Sequence, residues 1–449
     1  MADTQAQANH DRQVPTIDTG APVPVALEYV EAQLHELWRD VAEAAQVKGG
    51  VQAVTMAQVL NLIVHAPSRV SANQYVRDID LITGRHPCRV ILTLFESEEM
   101  PVQAWVSIHC QLPPAGGRQV CCEQVSVAAG GEVIRQVPAA IIPLLIPELP
   151  VFLWWPEGSP FDDYLFRNLT DTLNRLIVDS ATFENPEGTL AKMAVQLRSN
   201  WPNLAATDMN WGRLTRWREL VAQFFDGAAM RPYLDRIGNE AIDFALGERG
   251  QVNRAQALMV AGWLASRLGW QPVEPVYELA RSDSDRPAAV RLSLRAGKRP
   301  VRVTLNAVPH NQDVGVPGDI LAILLEVPGG AEGQVEARFQ VGLIDEPDKC
   351  ALTNVQIEGV NPTTRQIQLD SYSRAELLDI ELEVFSRDKV YEEALAMVGV
   401  FIRGTTRKET EGTRKIGTGE PISAAQVPKT RPQATPNREQ QEPPVEAEQ

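Results

Sequence analysis

Residues 148–183, ELPVFLWWPEGSPFDDYLFRNLTDTLNRLIVDSATF, constrain the fold most, because strand, turn, helix and second-strand signals follow one another within them. Val151, Phe152, Leu153, Trp154 and Trp155 form an apolar run between Pro150 and Pro156, the pattern of a strand buried on both faces. Pro156, Gly158 and Pro160 then break it. From Phe161 to Arg175 the residues Phe161, Leu165, Leu169 and Leu173 recur as one helical stripe, and Asp162 and Asp163 suit the positive end of a helix dipole. Leu176–Val178 begins a second strand that ends at Asp179 and Ser180. Such a crossover predicts a parallel sheet whose carboxyl edge carries these polar ends, the edge where open α/β sheets bind ligands.

The flanking chain extends this unit in both directions. Upstream, the spacing predicts helices over 26–45 and 71–83 and strands over 89–95, 102–112 and 119–127. Residues 51–66 fit a strand or a helix, and an apolar helix is expected over 133–146. Downstream, a helix over 188–199 closes an α/β domain with a Rossmann-like crossover, assigned to residues 24–202. Residues 203–270 read as a connecting helical layer, with helices at 208–226, capped by Asp208, and 253–268, stopped by Gly269. Residues 271–403 read as an α+β domain with a largely antiparallel sheet. Its expected strands include 290–294 and 301–305 around the Gly297 turn, 320–327, 335–341, 352–357, 365–369 and 378–384, with a last helix over 388–402. The polar segments 1–23 and 404–449 are predicted to be disordered tails.

Composition narrows the function. The formal net charge of -16 argues against nucleic acid or an anionic membrane as the main partner. No apolar run reaches the roughly 18 residues of a membrane span, and residues 1–23 lack a signal pattern, so a cytoplasmic protein is expected. The five cysteines lack framework spacing, and reduced thiols are the default. Strand alternation sends Cys121 and Cys122 to opposite faces, where one of them can meet Cys110 or Cys88 on an adjacent strand. These four are the candidate redox residues.

Phosphate-loop, dinucleotide-fingerprint, serine-elbow and zinc-helix motifs are lacking, and the six histidines are scattered without ligand spacing. No catalytic residue, cofactor or metal is therefore assigned. Two polar groupings stand out. Arg291, Arg295, Arg302 and Arg338 would share one face of the second sheet, either to hold an acidic partner or phosphate, or to pair across strands with Asp379, Glu381 and Glu383. Trp154, Trp155, Arg167 and Asp179 stand near the carboxyl edge of the first sheet; they fit a ligand site, a structural anchor in which Arg167 pairs with Asp179, or a protein contact. Trp211, Arg213 and Arg218, in a polar context, join them as partner-binding candidates wherever they are exposed.

The segments LPVFLWWPEGSP, IVDSATF, DMNWGRLTRWRELVAQFFD, AGWLASRLGW and SRDKVYEEAL, in this order, resemble the glucose-6-phosphate dehydrogenase assembly protein family, OpcA, of cyanobacterial type, over residues 25–403. The resemblance implies a non-catalytic, cofactor-free protein that binds glucose-6-phosphate dehydrogenase, supports its active oligomer and activates it allosterically in the oxidative pentose phosphate pathway. It also implies thioredoxin as a partner acting through cysteines; the segment after Cys350 holds none, which leaves Cys88, Cys110, Cys121 and Cys122. The competing reading is a sugar-phosphate- or nucleotide-binding protein that uses the carboxyl edge of the first sheet.

Overall fold

A computed structural model describes residues 22–47, 58–82, 84–111, 120–248, 250–280, 289–309, 316–330, 333–344, 350–369 and 372–403. Residues 1–21, the start of the ambiguous 51–66 segment and the whole C-terminal tail expectation lie outside these. Two eight-stranded mixed sheets carry helices on their faces. The first holds β1 (Val23–Val25), β2 (Leu60–Ala66), β3 (Cys88–Glu96), β4 (Met100–Gln111), β5 (Val120–Gly130), β6 (Val151–Trp155), β7 (Arg175–Val178) and β8 (Ala205–Asp208). Their order is β1-β4-β5-β3-β2-β6-β7-β8. From β5 to β8 neighbouring strands run parallel, while β4 and β1 add an antiparallel edge.

Helices follow the same chain: α1 (Val30–Val47), α2 (Arg69–Ile82), α3 (Val137–Ile141), α4 (Tyr164–Leu169), α5 (Pro186–Ser199), α6 (Met209–Arg213), α7 (Thr215–Gln223), α8 (Arg231–Leu234), α9 (Ala255–Arg267), α10 (Arg374–Glu383) and α11 (Lys389–Arg403). The crossover β6–α4–β7 is present, with all of β6 buried. Its helix is shorter than the periodicity suggests. Asp163 caps it by accepting from the Leu165 amide, and Phe161 and Leu173 are buried from the flanking turns instead. The apolar helix expected over 133–146 is likewise replaced by α3 between two 3-10 segments, because Pro138 and Pro143 cannot donate within a continuous helix.

The second sheet contains β9 (Asn239–Leu246), β10 (Gln271–Leu279), β11 (Val290–Ala296), β12 (Arg299–Pro309), β13 (Ile320–Pro328), β14 (Val335–Ile344), β15 (Cys350–Ile357) and β16 (Val360–Gln368). Its order is β10-β11-β12-β9-β13-β14-β15-β16, and only the β12–β9 pairing is parallel. Residues 203–270 thus contribute a strand to each sheet in addition to helices. β9, unanticipated from sequence, sits between β12 and β13.

The largest correction concerns the strand expected over 378–384, of which residues 378–383 lie in a helix. Ser373 and Glu376 make a reciprocal capping box that starts α10, and Leu377, Leu378 and Leu382 are buried. This helix leaves the second sheet and packs beside α2 on the first, in a core with Leu62, Val64, Phe152, Trp154 and Tyr75. On its opposite face the first sheet shares one core with the second, built from α5, α9 and α11 among others. α11 crosses α9 so closely that a Cβ on Gly262 would lie 2.5 Å from the Ala394 carbonyl oxygen.

Two measurements check this packing. In an open helix Gly262→Ala would stabilise by about 1 kcal/mol through propensity. Here the added methyl meets backbone, so full-chain urea unfolding is expected to show a net loss of about 1–3 kcal/mol; a gain would mean that α9 and α11 separate freely. Glu240 is buried on β9 without a hydrogen bond to either oxygen, and burial pushes its carboxyl up to about 8 from 4.5. Between those values the native chain keeps a proton that the unfolded chain has lost, so this contribution falls as pH rises, by about 1.4 kcal/mol per unit. Glu240→Gln is expected to remove that slope: its stability relative to wild type should rise between pH 5 and pH 8, and parallel curves would contradict the assignment.

Candidate functional site

The carboxyl ends of β7 and β8 carry a cluster of buried polar residues that includes Asp179, Ser180, Asp208 and Asn210. Asp208, the last residue of β8, turns its Oδ1 back to accept from the amides of Ser180 at 3.0 Å and Asn210 at 2.9 Å, which starts α6 as the sequence predicted. Asp179 follows β7 and receives both terminal nitrogens of Arg213, at 2.7 and 2.8 Å. The expected Arg167–Asp179 pair does not form; Arg167 is exposed on α4 and donates to the Asp162 carbonyl. Burial, then the neighbouring Asp179 charge, pushes Asp208 up to about 6. The Arg213 guanidinium, a planar fork fitted to a carboxylate, offsets both acids.

This cluster continues into the second sheet. Asn210 donates to Ser180 Oγ at 3.0 Å and accepts from Gln256 Nε2 at 3.0 Å. Gln256, on α9, also donates to Asp319 at 2.8 Å, next to the start of β13. Asn253 donates to the carbonyls of Ser180 and Ala181 at 3.0 and 3.1 Å. Polar groups at this stretch of the carboxyl edge thus bind one another and join the two sheets.

At the crevice between β2 and β6, where the strand order reverses, side chains fill the space. His65 stacks on Trp155 with ring centroids 3.9 Å apart, and burial lowers it to about 3, so it is neutral at physiological pH. The Glu157 carboxylate accepts from Ser71 Oγ at 2.9 Å and from the Tyr75 hydroxyl. The turn into α2 reads Ala66-Pro67-Ser68-Arg69 and its end is capped by Ser68, in place of the glycines that let a pyrophosphate approach a helix.

The tryptophans expected as contact anchors are core residues. Trp154 is fully buried beside Tyr75, Trp155 is buried against His65, and Trp211 is buried with its indole donating to Asp388 at 2.8 Å. Arg218 is half-buried, its guanidinium 3.4 Å from the Trp211 ring centroid, and burial lowers it to about 10. The structure therefore brings Trp211 and Arg218 together, and Asp179 with Arg213, while Arg167 stands apart.

Register decides the cysteines. Cys110 and Cys121 are partners across β4 and β5 and form a disulfide, which corrects the expectation of reduced thiols there. Cys122 points to the other face, its sulfur 3.7 Å from that of Cys88 on β3. The contact with Cys122, then burial, raises the Cys88 thiol well above its ordinary value, so it stays protonated. Sequence spacing also hides a grouping of His86, Asp379 and Glu383, whose ligand-type atoms lie within 4.8 Å of one another. There the Arg85 guanidinium pairs with Asp379. No described helix is long and apolar enough to cross a membrane.

Comparison with known proteins places this architecture. Residues 80–195 match the glucose-6-phosphate dehydrogenase subunit N-terminal domain and residues 204–395 the C-terminal domain of the same subunit. The chain is 31% identical over 330 residues to the OxPP cycle protein OpcA of Synechocystis sp., covering 71% of this chain and 64% of that relative. It is 30% identical over 358 residues to the OpcA of Synechococcus elongatus, covering 78% and 76%. The matched stretch thus spans just under two thirds of the Synechocystis protein. A solved glucose-6-phosphate dehydrogenase in complex with glucose-6-phosphate aligns with a TM-score of 0.43 at 10% identity, over 78% of this chain and 91% of that one. With both domain models matched in order and relatives at this identity across most of its length, the chain belongs to the OpcA family of glucose-6-phosphate dehydrogenase subunits.

Proposed function

We propose that this chain is a non-catalytic assembly factor and allosteric activator of glucose-6-phosphate dehydrogenase in the oxidative pentose phosphate pathway, acting in the cytoplasm. The observation that carries the reading is the ordered match of both subunit domains, over residues 80–195 and 204–395. The carboxyl edge supports it. We read the first sheet as Rossmann-like, since β5-β3-β2-β6-β7-β8 repeats the strand order of doubly wound dinucleotide folds. Yet Glu157, His65 and Trp155 occupy its reversal point, and Asp179, Asp208 and Arg213 are committed to the seam with the second, largely antiparallel sheet. A scaffold of this kind presents surfaces; Arg167, exposed on α4, is retained as a contact in this reading.

Activation by a bound protein has one thermodynamic source, tighter binding to the active conformation of the enzyme, and each ~1.4 kcal/mol of difference shifts the population tenfold. The decisive experiment is cognate dehydrogenase activity against glucose 6-phosphate concentration, with and without the full chain, under reducing and oxidising conditions. The apparent KM should fall or kcat rise in its presence, and where KM falls, substrate should tighten the complex by the same factor. A difference between the redox conditions would point to the Cys110–Cys121 disulfide and a thioredoxin-type reductant. Folded components with no kinetic effect under either condition would overturn the proposal.

A further inference from the structure

Among the described residues, the carboxylates that would make the arginines of the second sheet an ordinary salt-bridged face lie elsewhere, except at Arg338. Asp379 and Glu381, which alternation had set opposite them, lie on α10 against the first sheet, paired with Arg85 and Arg175. Glu383 lies on the same helix beside His86. Arg338 is neutralised by Glu326 on the neighbouring strand at 2.8 Å. Arg291, Arg295 and Arg302 remain. They stand on β11 and β12, on the face opposite the buried Leu292, Leu294, Val301 and Val303. Register puts Arg302 opposite Ser293, between Arg291 and Arg295.

Among the described residues none of the three makes an ion pair or a side-chain hydrogen bond. Glu278 is the register partner of Arg291 and forms no ion pair with it. Arg295 and Arg302 are exposed and Arg291 is half-buried. Grouping like charges across strands is unfavourable by itself. In a chain of net charge -16, with carboxylates in excess, three neighbouring arginines without a partner among the described residues mark a surface matched to an anion supplied from outside.

Geometry selects the kind of anion. Arg291 and Arg295 are separated along the strand by about 13 Å at ordinary strand rise, more than one phosphate can bridge. A group of carboxylates on a protein surface matches that spread. The overall negative charge opposes an extended polyanion such as nucleic acid, whereas a local acidic patch responds to charges within a Debye length of about 8 Å. We propose that this face of β11 and β12 docks an acidic surface of the dehydrogenase, an assignment that rests on the function proposed above.

The test compares the full chain with the triple variant R291E/R295E/R302E for binding to the cognate dehydrogenase at 50 and 300 mM NaCl. Charge reversal should weaken binding by roughly 100-fold at low salt and abolish the salt dependence of the wild type. The milder R291Q/R295Q/R302Q variant, with an unchanged melting temperature, should show an intermediate loss and guards against a folding artefact. Wild-type binding with undiminished affinity in both variants would overturn this inference alone. A wild-type chain that does not bind at all would overturn the proposed function with it. Stabilisation of the wild type by inorganic phosphate, lost in the variants while dehydrogenase binding is kept, would reassign the patch to a small anion and likewise overturn the docking surface.

Discussion

Arg175 sets the constraint on which the rest of the structure depends. It opens β7 with a guanidinium that is almost completely buried, and its carboxylate partner, Glu381, arrives from α10 at 3.1 Å, 206 positions later in the chain. The Ser386 carbonyl, just beyond that helix, accepts a second hydrogen bond at 3.0 Å. A buried pair of this kind adds little net stability relative to apolar packing, but either half left alone costs several kcal/mol. It therefore penalises any arrangement in which α10 fails to return to the first sheet. Arg374 with Asp78, at 2.6 Å, holds the helix near its start against α2. These pairs fasten α10, which follows the last strand of the second sheet, to the first sheet.

That return also explains what could be read in advance and what could not. The β6–α4–β7 unit, the two-faced β4, the hairpin at Gly297, α9 and α11 follow from local pattern, since the apolar runs, alternation and turn residues that define each lie within its own stretch of sequence. α10 misleads because both Leu377 and Leu378 are buried together with Asp379 and Glu381, which leaves no clean stripe. Leu378, Ile380 and Leu382 then alternate as a strand would, although Ile380 is exposed. The Ser373–Glu376 capping box was the signal that could have decided it. β9 escaped notice for a related reason. Glu240 and Asp243 look like surface residues in sequence, yet both are buried in the middle of a sheet.

The candidate site was legible in its parts and not in its pairings. Asp179 was legible as the end of a strand and Asp208 as a helix cap, though not the strand β8 that Asp208 ends, and the choice of Arg213 over Arg167 depends on how α6 folds back, which spacing does not encode. The polar context of Trp211 suggested an exposed surface; Trp211 instead places its indole N–H on Asp388 and its ring beneath Arg218, so polar groups that read as surface became partners in the interior. The cysteines show the same limit. Alternation correctly separated Cys121 from Cys122, but only the β4–β5 and β3–β5 registers determine that one meets Cys110 and the other Cys88.

Electrostatics ties these observations to function. Within the molecule, buried or half-buried arginines have carboxylate partners in the same fold: Arg89 with Glu123 at 2.7 Å, Arg175 with Glu381, and Arg213 with Asp179. Each of these joins elements distant in sequence, and each is shielded from salt by its burial. The hairpin arginines obey the opposite rule, being largely exposed and without a partner among the described residues. Interior pairs make the scaffold indifferent to ionic strength, while an exposed positive face on a negative chain makes encounter with a partner dependent on it. A protein that acts by favouring one conformation of another needs both properties, because a scaffold that yielded on binding would dissipate the differential affinity through which it acts.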